Sequence, residues 1–390
     1  MPKTLFCLGF YNEPMAWDIC IHGDGIAGNT LALLLAKQRL RVGLVGAAKP
    51  DSPMDVRTYA LNAASRQTLQ GVGVWPAQDT ASDASWITPV SRMQVWGDEG
   101  GDIHFDASSL GQTALTWMVD VPVLEQALRD AVAAQPLIER VSSNTSEQPP
   151  AKLQVVCEGK ASAMRAQLGV SFDAWPYPHH ALATRLLCDT PHGGVARQWF
   201  SEGDILAFLP MEGVQGRTVG VVWSTSPDRA AQYVNTPPAL CDKLAQLSRH
   251  ALGNLTLQAP AAVWPLQRAQ ARQWTGRNVQ GAWVLAGDAA HTVHPLAGQG
   301  LNMGLADVKL LAELLQAREF WRPVDDARLL RRYERERKVA TQTMVSGTDS
   351  LQWLFSQPEA LWAQVRNWGL NSVNQTQPLK LWLAKQAMNL

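Results

Sequence analysis

The sequence lacks the features that mark two large classes of protein. Its longest uninterrupted apolar stretch, Leu31 to Ala36, is far shorter than the roughly 18 residues that a membrane-spanning helix needs. Its 34 Lys and Arg residues are balanced by 34 Asp and Glu residues, so it lacks the basic charge of proteins that bind nucleic-acid phosphates. We therefore expect neither a membrane-spanning protein nor a nucleic-acid partner.

Cysteines, metal-ligand clusters and charged residues are also scarce. The five cysteines include no CxxC pair, which argues against a disulfide framework and suits a reducing cytoplasm. The histidines His291 and His294 have no obvious further ligand, so we expect loop packing there and no metal site. Charged residues make up only 17% of the 390 residues, so the chain can bury a large core in roughly two to three domains. We expect a cytoplasmic protein whose residues 1–14 are a frayed leader or lie upstream of the natural start.

A glycine-rich turn follows the first predicted strand. The strand Trp17 to His22 leads into a GxGxxG pattern, an apolar helix over Asn29 to Gln38 and a second strand, Arg41 to Val45. Such glycines permit a tight turn, close approach of the backbone to a pyrophosphate and close helix packing, while the helix N-terminus attracts phosphate. The pattern predicts dinucleotide binding, with an unliganded turn as the alternative. Its glycines are Gly23, Gly25 and Gly28.

One expected part of this unit is missing. Dinucleotide-binding units carry a carboxylate about 20 residues on, at the end of the second strand, where it binds the ribose hydroxyls. This sequence has Gly46 at that position, and Asp51 and Asp55 in the next loop are the substitutes that it offers. If the ribose has no acceptor, Gly46→Glu should leave cofactor affinity unchanged or improve it.

The most specific pattern lies near the other end of the chain. A strand over Gly281 to Ala286 runs into GDAAHTVHPLAGQGLNMG and a helix that ends near Ala317. An aspartate at the end of a strand can accept ribityl hydroxyls, and a glycine-rich helix start can hold negative charge. The segment resembles the second FAD motif of flavin-dependent aromatic hydroxylases with the para-hydroxybenzoate hydroxylase fold. The resemblance implies FAD contacts for Gly287, Asp288, Pro295, Ala297, Gly298, Gln299, Gly300, Leu301 and Asn302.

A weaker match to the same family occupies the middle of the chain. The strand Leu153 to Val156 leads to Glu158 and Gly159, and Ser162 and Arg165 keep the register of the family motif. The family has aspartate where Glu158 stands. The resemblance implies that Glu158 and Gly159 lie near the FAD and the pyridine nucleotide.

Further segments narrow the resemblance to the ubiquinone-biosynthesis hydroxylases. DVRTYAL at 55–61 is similar to the segment in which that group places an arginine beside FAD, which assigns Arg57 this role. Similarity to its substrate strands and C-terminal helices extends the match over about 17–388. The resemblance implies substrate-pocket positions, for each of which core packing is the alternative: Phe208, Leu209, Pro210, Trp223 and Trp264.

Together these elements predict an α/β protein with a Rossmann-like FAD-binding domain, an inserted β-sheet substrate domain and C-terminal helices. The discontinuous FAD-binding domain would comprise 15–75, 111–170 and 268–345, and the substrate domain 76–110 and 171–267. The region 346–390 is rich in Leu and Trp. It is interpreted either as helices that pack on the protein or a sister subunit, or as a peripheral contact with the inner face of the membrane.

The resemblance implies a monooxygenase that uses FAD, NAD(P)H and O2 to hydroxylate the ring of a polyprenyl phenol in ubiquinone biosynthesis. The substrate strands show no arginine cluster that could clamp a carboxylate, which suits a neutral lipophilic phenol. One alternative is a degenerate homologue that binds FAD weakly, because of Gly46 and Glu158, and serves as a scaffold among other quinone-biosynthesis proteins. Another is reduction or epoxidation of a different lipid.

Overall fold

The computed structural model describes residues 17–46, 56–76, 86–97, 101–142, 151–201, 203–211, 214–293 and 299–356. Their strands, in chain order, are β1 (Trp17–His22), β2 (Val42–Gly46), β3 (Thr58–Leu61), β4 (Ile87–Val90), β5 (Arg92–Trp96), β6 (Asp102–Asp106), β7 (Thr116–Asp120), β8 (Ile138–Ser142), β9 (Ala151–Val156), β10 (Phe172–Cys188), β11 (Val195–Ser201), β12 (Asp204–Met211), β13 (Thr218–Thr225), β14 (Leu255–Leu257), β15 (Ala262–Ala271), β16 (Thr275–Asn278), β17 (Gly281–Leu285) and β18 (His291–Thr292). The α-helices of the same ranges are α1 (Ile26–Lys37), α2 (Ala63–Gly71), α3 (Val121–Ala133), α4 (Ala163–Gln167), α5 (Pro227–Val234), α6 (Pro237–Leu247), α7 (Gln299–Gln316) and α8 (Ala327–Ser356).

A six-stranded sheet of order β16-β17-β9-β1-β2-β8 forms the first layer of the fold. Its strands are parallel except for the antiparallel pair of β16 and β17. The inner strands β1, β2 and β17 are buried along almost their whole length, as expected for a parallel sheet covered on both faces. Because β17, β9 and β1 are parallel neighbours, the turns that follow them meet at one edge of the sheet.

A nine-stranded sheet forms the second layer, in the order β18-β15-β10-β13-β12-β11-β5-β6 with β14 paired to β10. A small third sheet, β3-β7-β4, joins segments from both predicted domains. The predicted boundary at residue 268 falls inside β15, and β18 adds a further piece of the late chain to the large sheet. The division into domains stays a prediction, while the α/β class and the inserted β-sheet are observed.

The predicted elements differ from the observed ones chiefly at their ends. β1 covers the predicted residues, whereas α1 begins at Ile26 and not at Asn29, because Gly25 already has the extended conformation of a helix cap. Residues 1–14 and 357–390 lie outside the described residues, so the expectations for the leader and for most of the region 346–390 stay predictions. No helix in the described ranges has the length and apolar character that crossing a membrane requires.

Candidate functional site

The turn after β1 has the geometry of a phosphate-binding turn. Gly23 has a φ of +110°, and a Cβ there would lie 2.5 Å from the carbonyl oxygen of Cys157. A Cβ on Gly28 would lie 1.9 Å from the Gly23 carbonyl oxygen, so only glycine lets α1 pack this closely on the turn. Among the described residues, a Cβ on Gly25 would meet nothing within 4 Å, and no side chain caps the start of α1. The turn therefore leaves open space and free amide groups for an anion.

The turn after β17 is held by a buried carboxylate on α7. Asp307 is fully buried, and its Oδ2 accepts hydrogen bonds from the Gly287 amide at 2.8 Å and from the His291 ring at 2.7 Å. Its Oδ1 accepts from Arg337 Nε at 2.6 Å. Burial alone would raise the pKa of Asp307, but His291 and Arg337 outweigh burial and hold that pKa below its usual value. The carboxylate thus fixes the turn that carries Asp288.

The segment after β9 links the other two motifs. Glu158 Oε2 accepts hydrogen bonds from Ser162 Oγ at 2.6 Å and from the Met164 amide at 2.9 Å. Ser162 in turn caps α4 by accepting from the Arg165 amide. Arg165 Nη1 donates to the carbonyl oxygen of Ala289, next to Asp288, at 3.0 Å. Glu158 therefore organises its own loop, and the arginine of the motif ties this loop to the turn after β17.

Asp288 shares the lining of a cavity with two basic residues. Asp288, Arg57 and Lys160 all line this cavity. Desolvation by the surrounding protein raises the pKa of Asp288, while His291, Lys160 and Arg57 act in the opposite direction. Arg57 is also 3.9 Å from Glu125 on α3. An acceptor carboxylate with basic neighbours suits a ligand that carries both hydroxyl groups and negative charge.

Asn302 connects the start of α7 to the segment after Arg57. Its Oδ1 accepts from the Asn62 amide at 3.0 Å, and its Nδ2 donates to the Ala60 carbonyl oxygen at 2.8 Å. Gln299, which also accepts from Nδ2, lines the cavity with Gly300. Leu301 packs against the main core. Pro295, Ala297 and Gly298 lie outside the described residues, so their predicted FAD contacts stay predictions.

The cavity has a volume of about 760 Å³ and lies between the large sheet and the turn after β17. This volume is in the range of small-molecule sites, roughly 300 to 1,000 Å³. The strands of the large sheet contribute several Ala and Gly residues to its lining, among larger apolar ones. The Ala and Gly residues are Ala181, Ala183, Ala196, Ala207 and Gly220.

Two of the five predicted pocket residues line this cavity, namely Leu209 and Trp264. Phe208 and Trp223 instead belong to the hydrophobic core on the opposite face of the sheet, where they are 1% and 0% exposed. Successive residues of a strand point to opposite faces, so Phe208 cannot share the cavity face with its neighbours Ala207 and Leu209. Pro210 is buried and is not among the cavity-lining residues. All five residues lie on strands that line the cavity, but the described lining includes only Leu209 and Trp264, and the substrate role of each residue stays a prediction.

Several residues of this region lie outside the predicted site. Asp307 follows the second FAD motif on the same helix and Arg337 lies on the next helix, but an acid in an apolar helix next to an arginine-rich helix is only a weak signal. Alternation of Ala181 and Ala183 in β10 could have indicated the cavity face. The neutral polar residues of that face also lie outside the predicted site. They are Gln198, Ser224 and Gln267.

The described residues fit FAD at two points. The open Gly25 and the uncapped start of α1 can receive its pyrophosphate. Thr58 and Thr292 line the cavity, and their Oγ1 atoms are buried and have no hydrogen-bond partner among the described residues. Buried hydroxyls without partners are costly, so these two groups suit a polar ligand edge. Fold and site together define a flavoprotein of the para-hydroxybenzoate hydroxylase fold.

Comparisons with known proteins agree with this class. The family described as FAD binding domain matches residues 102–348. The 3-demethoxyubiquinol 3-hydroxylase of Escherichia coli K12 is 32% identical over 97% of this chain and 100% of that protein. Ubiquinone hydroxylase UbiL of Rhodospirillum rubrum is 28% identical over 95% of this chain and 89% of its own length. The solved p-nitrophenol 4-monooxygenase of Pseudomonas putida DLL-E4 superposes with a TM-score of 0.75 at 17% identity, over 96% of this chain and 98% of that chain.

The chain belongs to the FAD-dependent hydroxylase family of ubiquinone biosynthesis. It is an FAD-dependent monooxygenase, as the resemblance in the sequence predicted.

Asp307→Asn should destabilise the protein, because it leaves Arg337 and His291 buried without their anionic partner. Breaking a buried ion pair from one side typically costs about 3 to 5 kcal/mol. The measurement is the free energy of urea unfolding of the FAD-free protein. Since the folded state lowers the pKa of Asp307, its stabilisation is present above the unfolded pKa of about 4 and is lost as pH falls through the lower folded pKa.

Glu336→Gln is the matched control for this experiment. Glu336 pairs with Arg332 at 2.7 Å on the same helix, but both side chains are well exposed. Such a surface pair contributes at most about 1 kcal/mol. Equal destabilisation by the two variants would contradict the role given to Asp307.

Asp288→Ala should weaken FAD binding to the FAD-free protein, because the cofactor loses a charge-assisted acceptor worth about 1.5 to 3 kcal/mol. FAD affinity of the wild type should fall as pH is lowered through the raised pKa of Asp288, since protonation removes the charged acceptor. The variant should lose this pH dependence. Asp173→Ala, which removes an exposed partner of Arg272, should change neither quantity. Full flavin retention by Asp288→Ala would argue against the assignment.

Proposed function

We propose that this monooxygenase hydroxylates the aromatic ring of a neutral polyprenyl phenol in ubiquinone biosynthesis. In the overall reaction one atom of O2 enters the ring as a hydroxyl group and the other leaves as water. NAD(P)H supplies the two electrons, and a ring hydrogen is lost as the new C–O bond forms. Bound FAD supplies the oxygen-activating chemistry. The chain must hold the ring, keep water away and balance charge near the cofactor.

The observation that supports a neutral substrate is the chemistry of the cavity wall. The strands β5, β6, β10, β11, β12, β13 and β15 contribute no charged side chain to the described lining. Burying a carboxylate against such a wall without a partner is costly, so an aromatic acid fits it poorly. The charged residues of the lining, Arg57, Lys160 and Asp288, belong to the cofactor side. A lipophilic ring matches the wall that the large sheet presents.

Neutral polar side chains on the same wall can orient the phenol. Gln198 on β11, Ser224 on β13 and Gln267 on β15 line the cavity among apolar residues. An amide or hydroxyl group can donate to or accept from a phenolic oxygen without burying a charge. Leu209 and Trp264 provide apolar surface for the ring. An apolar wall that carries a few polar groups is typical of pockets that fix the orientation of small ligands.

The names of the relatives support a ring of the ubiquinone type. They include a 3-demethoxyubiquinol 3-hydroxylase and a ubiquinone hydroxylase. Because a polyprenyl substrate partitions into lipid, we extend the proposal to peripheral contact with the inner face of the membrane and to other quinone-biosynthesis proteins as partners. Cosedimentation with liposomes, before and after deletion of residues 376–390, measures the membrane contact. A full-length protein that stays in the supernatant would contradict the contact, and unchanged pelleting after the deletion would show that residues 376–390 do not mediate it.

The direct test uses the purified protein. Its absorption spectrum should show oxidised flavin, and anaerobic NADH or NADPH should bleach it, with bleaching accelerated by a polyprenyl phenol. Oxygen consumption should then yield hydroxylated product. A protein that neither holds nor takes up FAD would favour the scaffold alternative, and turnover of an aromatic acid in preference to the phenol would contradict the proposed substrate class.

Ala207→Phe should impair phenol turnover while leaving FAD content unchanged. Ala207 is a half-buried residue on the cavity face of β12, so a phenyl group there occupies space that the ring needs. We expect at least a tenfold rise in KM, equivalent to about 1.4 kcal/mol. Ala174→Phe on the exposed part of β10 is the matched control and should leave KM unchanged. Equal kinetics of the two variants would show that the substrate binds elsewhere.

A further inference from the structure

A carboxylate from another position in the chain lies beside the end of β2, where the sequence has no acid. Gly46 ends β2, at the point where dinucleotide-binding sheets carry the acid that binds the adenosine ribose. A Cβ at residue 46 would lie 2.4 Å from Asp24 Oδ2 and 2.5 Å from the carboxyl carbon of Asp24. The carboxyl group of Asp24 therefore fills the space in which the missing side chain would begin.

Asp24 reaches this space from the phosphate-binding turn. β1 and β2 are parallel neighbours with His22 opposite Val45, and the Gly23 amide donates to the Val45 carbonyl oxygen at 2.8 Å. The next residue, Asp24, thus lies beside the end of β2. Because Gly46 has no side chain, it leaves room for the carboxyl group. Side chains at positions 24 and 46 exclude each other in this geometry.

Arg140 holds the same carboxyl group from the other side of β2. It lies on β8, opposite Leu44 of β2, and its Nη2 donates to Asp24 Oδ2 at 3.1 Å. The side chains of Arg140 and Asp24 are 43% and 16% exposed, so the pair contributes little to folding stability. Its main effect is orientation, since a bond to Oδ2 leaves Oδ1 for a ligand.

We propose that Asp24, oriented by Arg140, accepts the hydroxyl hydrogen bonds of the adenosine ribose of FAD. The two ribose hydroxyls are donors, and a carboxylate accepts such bonds with charge-assisted strength. An acid this close to a pyrophosphate turn also repels phosphate, and the guanidinium of Arg140 offsets this repulsion. The inference rests on FAD binding at the turn after β1. It gives a ligand role to a position that the GxGxxG pattern leaves open.

The proposal reverses the expectation for Gly46→Glu. A glutamate at residue 46 would begin where the Asp24 carboxyl group already lies, so it would displace that group before it could bind ribose. Asp51 and Asp55, the substitutes that the sequence offered, lie outside the described residues. Asp24 is the carboxylate that the described chain places at the end of β2.

Titration of the FAD-free protein with FAD, followed by tryptophan fluorescence quenching, tests the proposal. Asp24→Ala should weaken binding roughly 10- to 100-fold through loss of a charge-assisted bond. Gly46→Glu alone should also weaken it, whereas the double variant Asp24→Ala/Gly46→Glu should recover most of the affinity, because the acid then comes from the strand. Asp18→Ala is the control, since Asp18 pairs with Lys152 at the opposite end of β1, and it should leave affinity unchanged.

A second measurement separates a ribose contact from a structural role of Asp24. ADP and 2′,3′-dideoxy-ADP compete with FAD for the adenosine half of the site and differ only in the ribose hydroxyls. The wild type should bind ADP more tightly, and Asp24→Ala should bind both equally. Tighter or unchanged FAD binding by Asp24→Ala, or no preference for ADP in the wild type, would overturn the proposal. A wild type that does not bind FAD at all would overturn the cofactor assignment as well, and the titration distinguishes these results.

Discussion

The architecture of the site depends on one fully buried carboxylate. Asp307 on α7 binds the Gly287 amide in the turn after β17, the ring of His291 in β18 and the guanidinium of Arg337 on α8. A buried charge is tolerated only when it is paired and hydrogen-bonded, so the positions of these three groups are mutually determined. A shift of any one of them would leave an anion in the core with an empty hydrogen-bonding site. The turn that carries Asp288 is therefore held by the core and not by the ligand.

The same reasoning extends through Arg165 to the middle motif. Arg165 donates to Ala289 next to Asp288 and to the Lys160 carbonyl oxygen, and its guanidinium stacks 3.6 Å from the Phe172 ring centroid at the start of β10. The turns after β9 and β17 are thus joined to the large sheet through the buried guanidinium of Arg165. The distance between the turn after β17 and the large sheet is consequently set by contacts within the protein itself. Such preorganisation is what a reaction sensitive to orientation and water requires.

The sequence was sufficient where the function needs particular residue types at fixed spacing. The glycines of the first turn and the GD pattern after β17 can be predicted from the sequence, because backbone φ values and close contacts exclude most other residue types there. It was insufficient where function depends on which face a residue occupies. Leu209 and Phe208 are adjacent and similar, yet one lines the cavity and the other fills the core. Resemblance identified the strand, but the pleat of the strand decides the role of each residue. The hydrogen bonds of Asp307 with Gly287, His291 and Arg337 could not be predicted, because the motif does not specify which side chains meet in the folded core.

The two departures from the expected motifs, Gly46 and Glu158, show why a missing residue type is weak evidence of decay. A motif specifies positions in the sequence, whereas a ligand contacts the groups that lie next to it in the folded protein. Glu158, one methylene longer than aspartate, still organises its loop through Ser162 and Met164. Gly46 lacks a carboxylate, but the space next to it contains the carboxylate of Asp24, fixed by Arg140. If the chain no longer bound the cofactor, there would be no requirement for a glycine at position 46 that leaves room for the side chain of Asp24. The paired occurrence of an acid in the turn and a glycine at the strand end is therefore better explained by a moved contact than by a lost one.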